Sequence, residues 1–148
     1  MLENVKIKKI INHPDERGYF REILRDDDHL MSRFGQTSVT MSHPGVIKAF
    51  HWHKKQDDLW YIAQGEALVG LYDMRKNSST FGQSQRIHVT ENNPMLIFIP
   101  IGVAHGYKVL GEKPLLLFYH TTMSYDAKNP DEGRMPHDDP EIHFNWNI

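Results

Sequence analysis

Short runs of β-branched and aromatic residues, cut at close intervals by Gly, Pro, Asn and Asp, restrict this chain more than any other feature. Candidate strands lie at residues 5–11, 18–24, 36–41, 46–50, 59–63, 67–72, 86–90, 95–99, 107–109 and 115–121. Almost nothing repeats with the period of an amphipathic helix; only 27–34 suggests one short helix. Gln64-Gly65 reads as a tight turn between two strands. Many short strands at this spacing suggest an all-β sandwich or barrel. No internal repeat, low-complexity stretch or linker interrupts the 148 residues, so one domain around one core is expected. The tail from Asp126 is rich in Pro, Asp and His and reads as solvated and irregular. Within it Ile142, Phe144 and Trp146 alternate, which predicts a segment packed back onto the body.

Composition narrows the partners. A net charge of −2 is too near neutral to point to nucleic acid or an anionic membrane. Any phosphate must then be held by a few placed cations. The absence of cysteine excludes disulfides, thiolate nucleophiles and cysteine zinc sites. The longest apolar run, 95–104, contains Pro100 and is too short to span a bilayer. Residues 1–11 carry several lysines and no signal-peptide core, so a cytoplasmic protein is expected.

Ten histidines are many for this length, and several cluster. His51 and His53 stand two apart on a candidate strand, so both side chains point to one face. Gly45 precedes His51 by five intervening residues, Asp58 follows His53 after four, and Gly65 follows Asp58 after six. Further on, Pro100-Ile-Gly102-Val-Ala-His105 repeats the theme of glycine shortly before histidine. On its own, a His-x-His pair occurs often enough on ordinary surface strands. Together, in this order and spacing, the two segments resemble the two sequence motifs of the cupins. Aspartate at 58 replaces the usual glutamate, and Val109 replaces a usual asparagine. The resemblance implies a double-stranded β-helix, the cupin jelly-roll barrel, with His51, His53, Asp58 and His105 converging inside it. Three imidazoles and a carboxylate suit Zn, Fe(II), Mn or Ni.

A second resemblance spans almost the whole chain. Asp15-Glu-Arg17-Gly18-Tyr-Phe20-Arg-Glu22, then Gln36, Gly45-Val-Ile-Lys48-Ala-Phe-His51, Asp73-Met-Arg75-Lys-Asn-Ser78-Ser-Thr80-Phe81-Gly82, Ile99-Pro-Ile-Gly102-Val-Ala-His105-Gly106-Tyr, Tyr119-His-Thr-Thr122 with Tyr125, and Asp138-Asp139-Pro140 with Trp146 follow one another in order. This series resembles the dTDP-4-dehydrorhamnose 3,5-epimerase family. It implies an isomerase that epimerises C3, C5 or both of a nucleotide-linked 4-keto-6-deoxy sugar through an enolate, without a metal.

By that resemblance His51 is the base, Asp139 hydrogen-bonds it, and Tyr119 is the acid on the opposite face. Arg17 and Lys48 would meet phosphate, Glu22 and Gln36 would bond the nucleoside, Phe20 and Tyr125 would stack on the base, and His105 would contact the sugar. The family forms homodimers in which N-terminal strands help to build the neighbour's nucleotide site, a role open here to residues 5–11. Plainer readings exist for several of these: Phe20 as core, Arg17 as half of a turn salt bridge, Tyr119 as a strand-end aromatic, and Asp139 as a turn residue before proline.

The chain also departs from the family. Lys48 replaces an arginine and loses its bidentate fork. His53 replaces a glutamine. Asp58 falls where the family has a lysine near the enolate, and an anion there opposes the developing charge. These departures restore a cupin metal set, in which a divalent cation on His53, Asp58 and His105, with or without His51, supplies the missing electrophile. If His51 ligates, it cannot also be the base. Two other functions therefore stay open beside the epimerase: a metal-dependent cupin enzyme, such as a dioxygenase or sugar isomerase, and a non-catalytic sugar-binding cupin.

Overall fold

In the computed structural model, which describes residues 1–148, the chain is built almost entirely of antiparallel strands. They are β1 (Lys6–Lys9), β2 (His13–Asp15), β3 (Gly18–Phe20), β4 (Gln36–Ser42), β5 (Ile47–Trp52), β6 (Asp58–Gln64), β7 (Glu66–Asp73), β8 (Ser84–Thr90), β9 (Met95–Ile99), β10 (Val103–Leu110), β11 (Leu115–Thr121) and β12 (Gly133–Arg134). Two five-stranded sheets form, in the orders β1-β9-β6-β11-β4 and β12-β5-β10-β7-β8, and β2 and β3 make a separate hairpin. No helix is long and apolar enough to cross a membrane.

Strand alternation makes the core. Trp60 and Ile62 of β6, Ile97 and Ile99 of β9, and Leu115 and Leu117 of β11 face Ala67, Val69 and Leu71 of β7 and Tyr107 and Val109 of β10 in one buried cluster between the sheets. Each large aliphatic side chain removed from water there contributes about 1.5–3 kcal/mol. The middle strands are buried on both faces. Leu59 and Tyr61 turn outward beneath Ile23, Leu24, Leu30 and Met31. Leu68 and Phe50 turn outward beneath Ile142, Phe144 and Trp146. The alternating tail therefore does pack back, without forming a strand. Its indole Nε1 donates to the carbonyl of His137 at 2.8 Å.

Two expectations need correction. The short helix at 27–34 is only a 3-10 turn at Asp26–Asp28, because Lys8 and the backbone of Arg25 hold Asp28 in a tight local cap. The strand expected at 18–24 stops at Phe20, and Ile23 and Leu24 continue as cover for the sheet. Residues 6–9 pair with β9 on one side and form the outer edge of their sheet, as an edge strand would.

Along three strands the inward face changes character from one end of the sandwich to the other. On β6 it runs Ile62, Trp60, Asp58; on β10, Val109, Tyr107, His105; on β11, Leu117, Tyr119, Thr121. One end of the space between the sheets is thus apolar and closed, and the other is polar.

Candidate active site

The polar end opens into a cavity of about 560 Å³, within the range that holds a small organic ligand. Of the residues expected at a site, Gln36, Lys48, His51, His105, Tyr119 and Tyr125 line it, together with His53 and Asp58. His51 and His105 are directly paired across β5 and β10. Between this pair and the Tyr107–Lys48 pair the ladder bulges, and Ala49 comes so close that a Cβ on Gly106 would lie 2.2 Å from its own Cβ. Glycine at 106 is what lets the histidine strands approach.

His51 does not bond Asp139. Its Nδ1 stands 2.5 Å from Oε1 of Glu132, and Arg134 braces the other oxygen of the same carboxylate at 2.9 Å. Asp139 lies off the cavity, where its carboxylate accepts the backbone N–H of Glu141 at 2.9 Å. The physical reason is the path of the tail. Gly133 and Arg134 pair with Trp52 and His51 as β12, which brings residue 132 over the imidazole. A Cβ on Gly133 would sit 2.1 Å from the Trp52 indole, so only glycine permits this approach. Burial raises the Glu132 carboxyl, but the bonds from His51 and Arg134 outweigh it and hold the group below its ordinary value. An ionised carboxylate only accepts, so His51 donates through Nδ1 and its Nε2 is left free.

His53 and His105 form a second group with Asp58. The Nδ1 of His53 donates to the Asp131 carbonyl, and that of His105 to the Val103 carbonyl at 2.9 Å. Their Nε2 atoms lie 3.7 and 3.6 Å from the two oxygens of Asp58. Gln56 and Trp60 donate to Asp58 at 2.9 and 3.2 Å. Burial pushes the His105 imidazole well below its ordinary value, against the opposing pull of Asp58. The side chain of Asp131 caps the loop beside this group, accepting the backbone N–H groups of Lys54, Lys55 and Gln56 at 3.0, 2.8 and 3.2 Å. These three bonds outweigh its own burial and keep its carboxyl low.

The N-terminal residues expected to hold the nucleotide are elsewhere. Arg17 and Phe20 lie on the exposed β2–β3 hairpin, with Arg17 bonded to Asp15 at 2.6 Å and Phe20 63% exposed. Glu22 pairs with Arg25 at 2.8 Å. None of the three touches this chain's own cavity. Gln36 bridges the cavity wall, donating to Ser38 and accepting the backbone N–H of Tyr125 at 2.9 Å. Lys48 reaches only Thr40, at 3.3 Å.

Sequence reading missed Glu132, Asp131 and Arg134, all three at the cavity. Their only signal was an acid-acid-Gly-Arg run inside a tail that reads as solvated.

Known proteins fit this architecture. The family profile described as dTDP-4-dehydrorhamnose 3,5-epimerase matches residues 1–148. The spore coat polysaccharide biosynthesis protein SpsL of Bacillus subtilis is 56% identical over 147 residues, covering 99% of this chain and 97% of that protein. A dTDP-4-dehydrorhamnose 3,5-epimerase of Methanothermobacter thermautotrophicus is 34% identical over 140 residues, 90% of this chain and 74% of the relative. The solved Legionella pneumophila dTDP-6-deoxy-D-glucose-3,5-epimerase RmlC, in complex with dTDP-4-keto-L-rhamnose, superposes with a TM-score of 0.87 at 28% identity, covering 97% of this chain and 79% of that one. The two sheets are accordingly those of a cupin jelly roll. With the profile spanning every strand that builds the cavity, the chain belongs to the dTDP-4-dehydrorhamnose 3,5-epimerase family.

Proposed function

We propose that this protein is a nucleotide-sugar epimerase, inverting C3, C5 or both of a dTDP-linked 4-keto-6-deoxy sugar. The observation that carries the reading is the pairing of His51, from one sheet, with Tyr119, from the other, across one cavity of ligand size. Inversion needs a base and an acid on opposite faces of the same carbon, and side chains from two facing sheets meet that need.

In this reading the free Nε2 of His51 takes the proton from the carbon beside the ketone. The C–H electron pair moves into the ring and leaves negative charge on the C4 oxygen. Glu132 fixes the tautomer of His51 and offsets the charge it gains. The phenol of Tyr119 returns a proton to the other face of the carbon. Proton exchange with solvent then resets both groups. Lys48, Lys55 and Arg134 supply cations at the cavity for the diphosphate, and Tyr125 offers an exposed ring for the base.

The nucleotide site is completed in a homodimer. The hairpin bearing Arg17 and Phe20 leaves the Tyr19 and Phe20 side chains largely exposed, with His13 beside Phe20 and Arg21 over Tyr19, which suits a partner's cavity. The B. subtilis relative, named for polysaccharide biosynthesis, supports a deoxysugar product destined for a polysaccharide.

Incubation with a dTDP-linked 4-keto-6-deoxy sugar in D2O tests the reading. Deuterium entering C3 or C5, followed by NMR, is expected. Tight binding of the sugar nucleotide with no exchange at either carbon would leave a non-catalytic binding protein instead.

A further inference from the structure

The epimerase reading assigns Lys48, Lys55 and Arg134 to the diphosphate and names no group for the enolate charge, while the buried acid at the cavity, Asp58, carries a carboxylate. We propose that His53, Asp58 and His105 bind a divalent transition-metal cation, which faces the cavity beside the base.

The hydrogen bonds assign the donors. A backbone carbonyl can only accept, so the Nδ1 atoms of His53 and His105 carry the protons that reach Asp131 and Val103. In the neutral rings both Nε2 atoms therefore present lone pairs, and both approach the Asp58 carboxylate. Three acceptors converge with no donor between them. The nearest donors to Asp58, from Gln56 and Trp60, are neutral, and no lysine or arginine pairs with it, although the residue is only 4% exposed. A carboxylate buried without a cation is unfavourable, and one cation at the focus satisfies all three groups.

The spacing fits. One ligand atom from each of the three lies within 4.8 Å of the others, and the contacts to Asp58 are 3.6 and 3.7 Å. Donors placed about 2.0–2.2 Å from a shared ion stand at most about 4.4 Å apart, a limit that both contacts to Asp58 meet, while the outer bound of the three-way group is slightly wider. The outer contacts are also those of a metal site, with each imidazole oriented by a carbonyl and the carboxylate held by hydrogen bonds. Two imidazoles and one carboxylate suit Fe(II), Mn(II), Co(II), Ni(II) or Zn(II) rather than magnesium or calcium. His51 is not part of this cluster, so it keeps its bond to Glu132 and its role as base. When bound, the cation supplies a Lewis acid where the reaction develops negative charge.

This inference rests on the epimerase reading for its purpose, but not for its test. Protein made without a metal-binding tag and stripped with chelator is titrated with Co(II), read by its visible ligand-field bands, and metal content is measured on protein as isolated. Wild type is expected to take up the ion stoichiometrically. Asp58→Asn and His105→Gln should each lose at least about 10-fold in affinity, the smaller loss known even for outer partners of a site. His51→Asn should bind as wild type does. Thermal unfolding checks that the variants fold, and the wild-type titration stands whether or not they do. No uptake of any of the five ions by stripped wild type, or uptake unchanged in folded Asp58→Asn, would overturn the site. Protein that takes up none of the ions yet still exchanges deuterium sinks this inference and leaves the epimerase standing; stoichiometric metal without exchange does the reverse.

Discussion

Nδ1 of His51 and Oε1 of Glu132 lie 2.5 Å apart, joined across 81 residues of chain. The bond exists because the tail turns at Gly133 and runs beside β5 for two residues. It gives the imidazole one tautomer, and it gives the charged ring a counter-ion.

Glu132→Gln is expected to lower kcat by roughly 10²-fold or more, inside the 10²–10⁴ that a positioned acid–base group contributes, while KM stays near wild type. The amide keeps the size but offers no charge for an imidazolium. Asp139→Asn should leave kcat close to wild type. Steady-state kinetics on the two variants decides the matter, and a loss confined to Asp139→Asn would return the role to that residue.

Tyr119→Phe separates the two proton transfers. It removes the proposed donor from the first sheet and leaves the His51–Glu132 pair untouched. Product formation should fall by roughly 10²–10⁴, while His51-dependent loss of the substrate's own C–H continues. The comparison is deuterium wash-in against epimer yield, both by NMR. Equal loss of both signals would make Tyr119 part of the binding wall rather than the acid.

Most of the sandwich is legible in the sequence because it is local. Residues 95–99 and 115–121 are nearly unbroken runs of aliphatic and aromatic side chains, and they are strands over those limits. β10 reads short, as 107–109, because Ala104, His105 and Gly106 have weak strand propensity; tertiary pairing with β7 and β5 overrides it. The hairpin strand at His13–Asp15 is hidden by Pro14 and Asp15, which look like breakers. At the site, the His-x-His pair and His105 are legible because they share strand faces. Glu132 is not, since its position depends on a close approach between two segments far apart in the chain. The Asp73–Arg75–Ser78–Thr80 motif is legible as a pattern, but its work is structural. Asp73 accepts from all three partners at 2.6–2.8 Å and ties β7 to the backbone of Glu3 through Arg75.

That network predicts an acid-dependent stability. Burial alone would raise the Asp73 carboxyl, but the bonds from Arg75, Ser78 and Thr80 outweigh it and hold the group well below the ordinary carboxylate range. Asp73→Asn should cost about 3 kcal/mol at pH 7, the low end for removing one partner of a buried charge pair. The sign with pH follows from linkage. A group with a lowered folded pKa stabilises above its unfolded value, near 3.9, and loses that contribution as pH falls toward the folded value. The gap between wild type and Asp73→Asn should therefore narrow by about 1.4 kcal/mol per unit below that point. Urea midpoints at pH 7 and pH 3 measure it, and a gap unchanged at pH 3 would mean that the charge of Asp73 contributes nothing.

The exposed hairpin makes the last prediction, because its residues are useless to the cavity of their own chain. If Arg17 and Phe20 serve a partner's site, Phe20→Ala should weaken dTDP binding by about 1–3 kcal/mol, the usual loss when a ring stacked on a base is removed. Arg17→Ala should weaken dTDP more than thymidine, since the guanidinium answers the phosphates rather than the base. Both variants should keep wild-type thermal stability, as neither side chain packs into the core. Calorimetric titration gives the affinities, and light scattering gives the mass of the assembly. A monomer that binds dTDP with wild-type affinity in both variants would detach the hairpin from the site. Mixing Arg17→Ala subunits with His51→Asn subunits sharpens the test. If each cavity draws its base from one chain and its hairpin from the other, a mixed dimer contains one cavity carrying both lesions and one carrying neither. Activity should then reappear on mixing two impaired proteins, which no arrangement confined to one chain can produce.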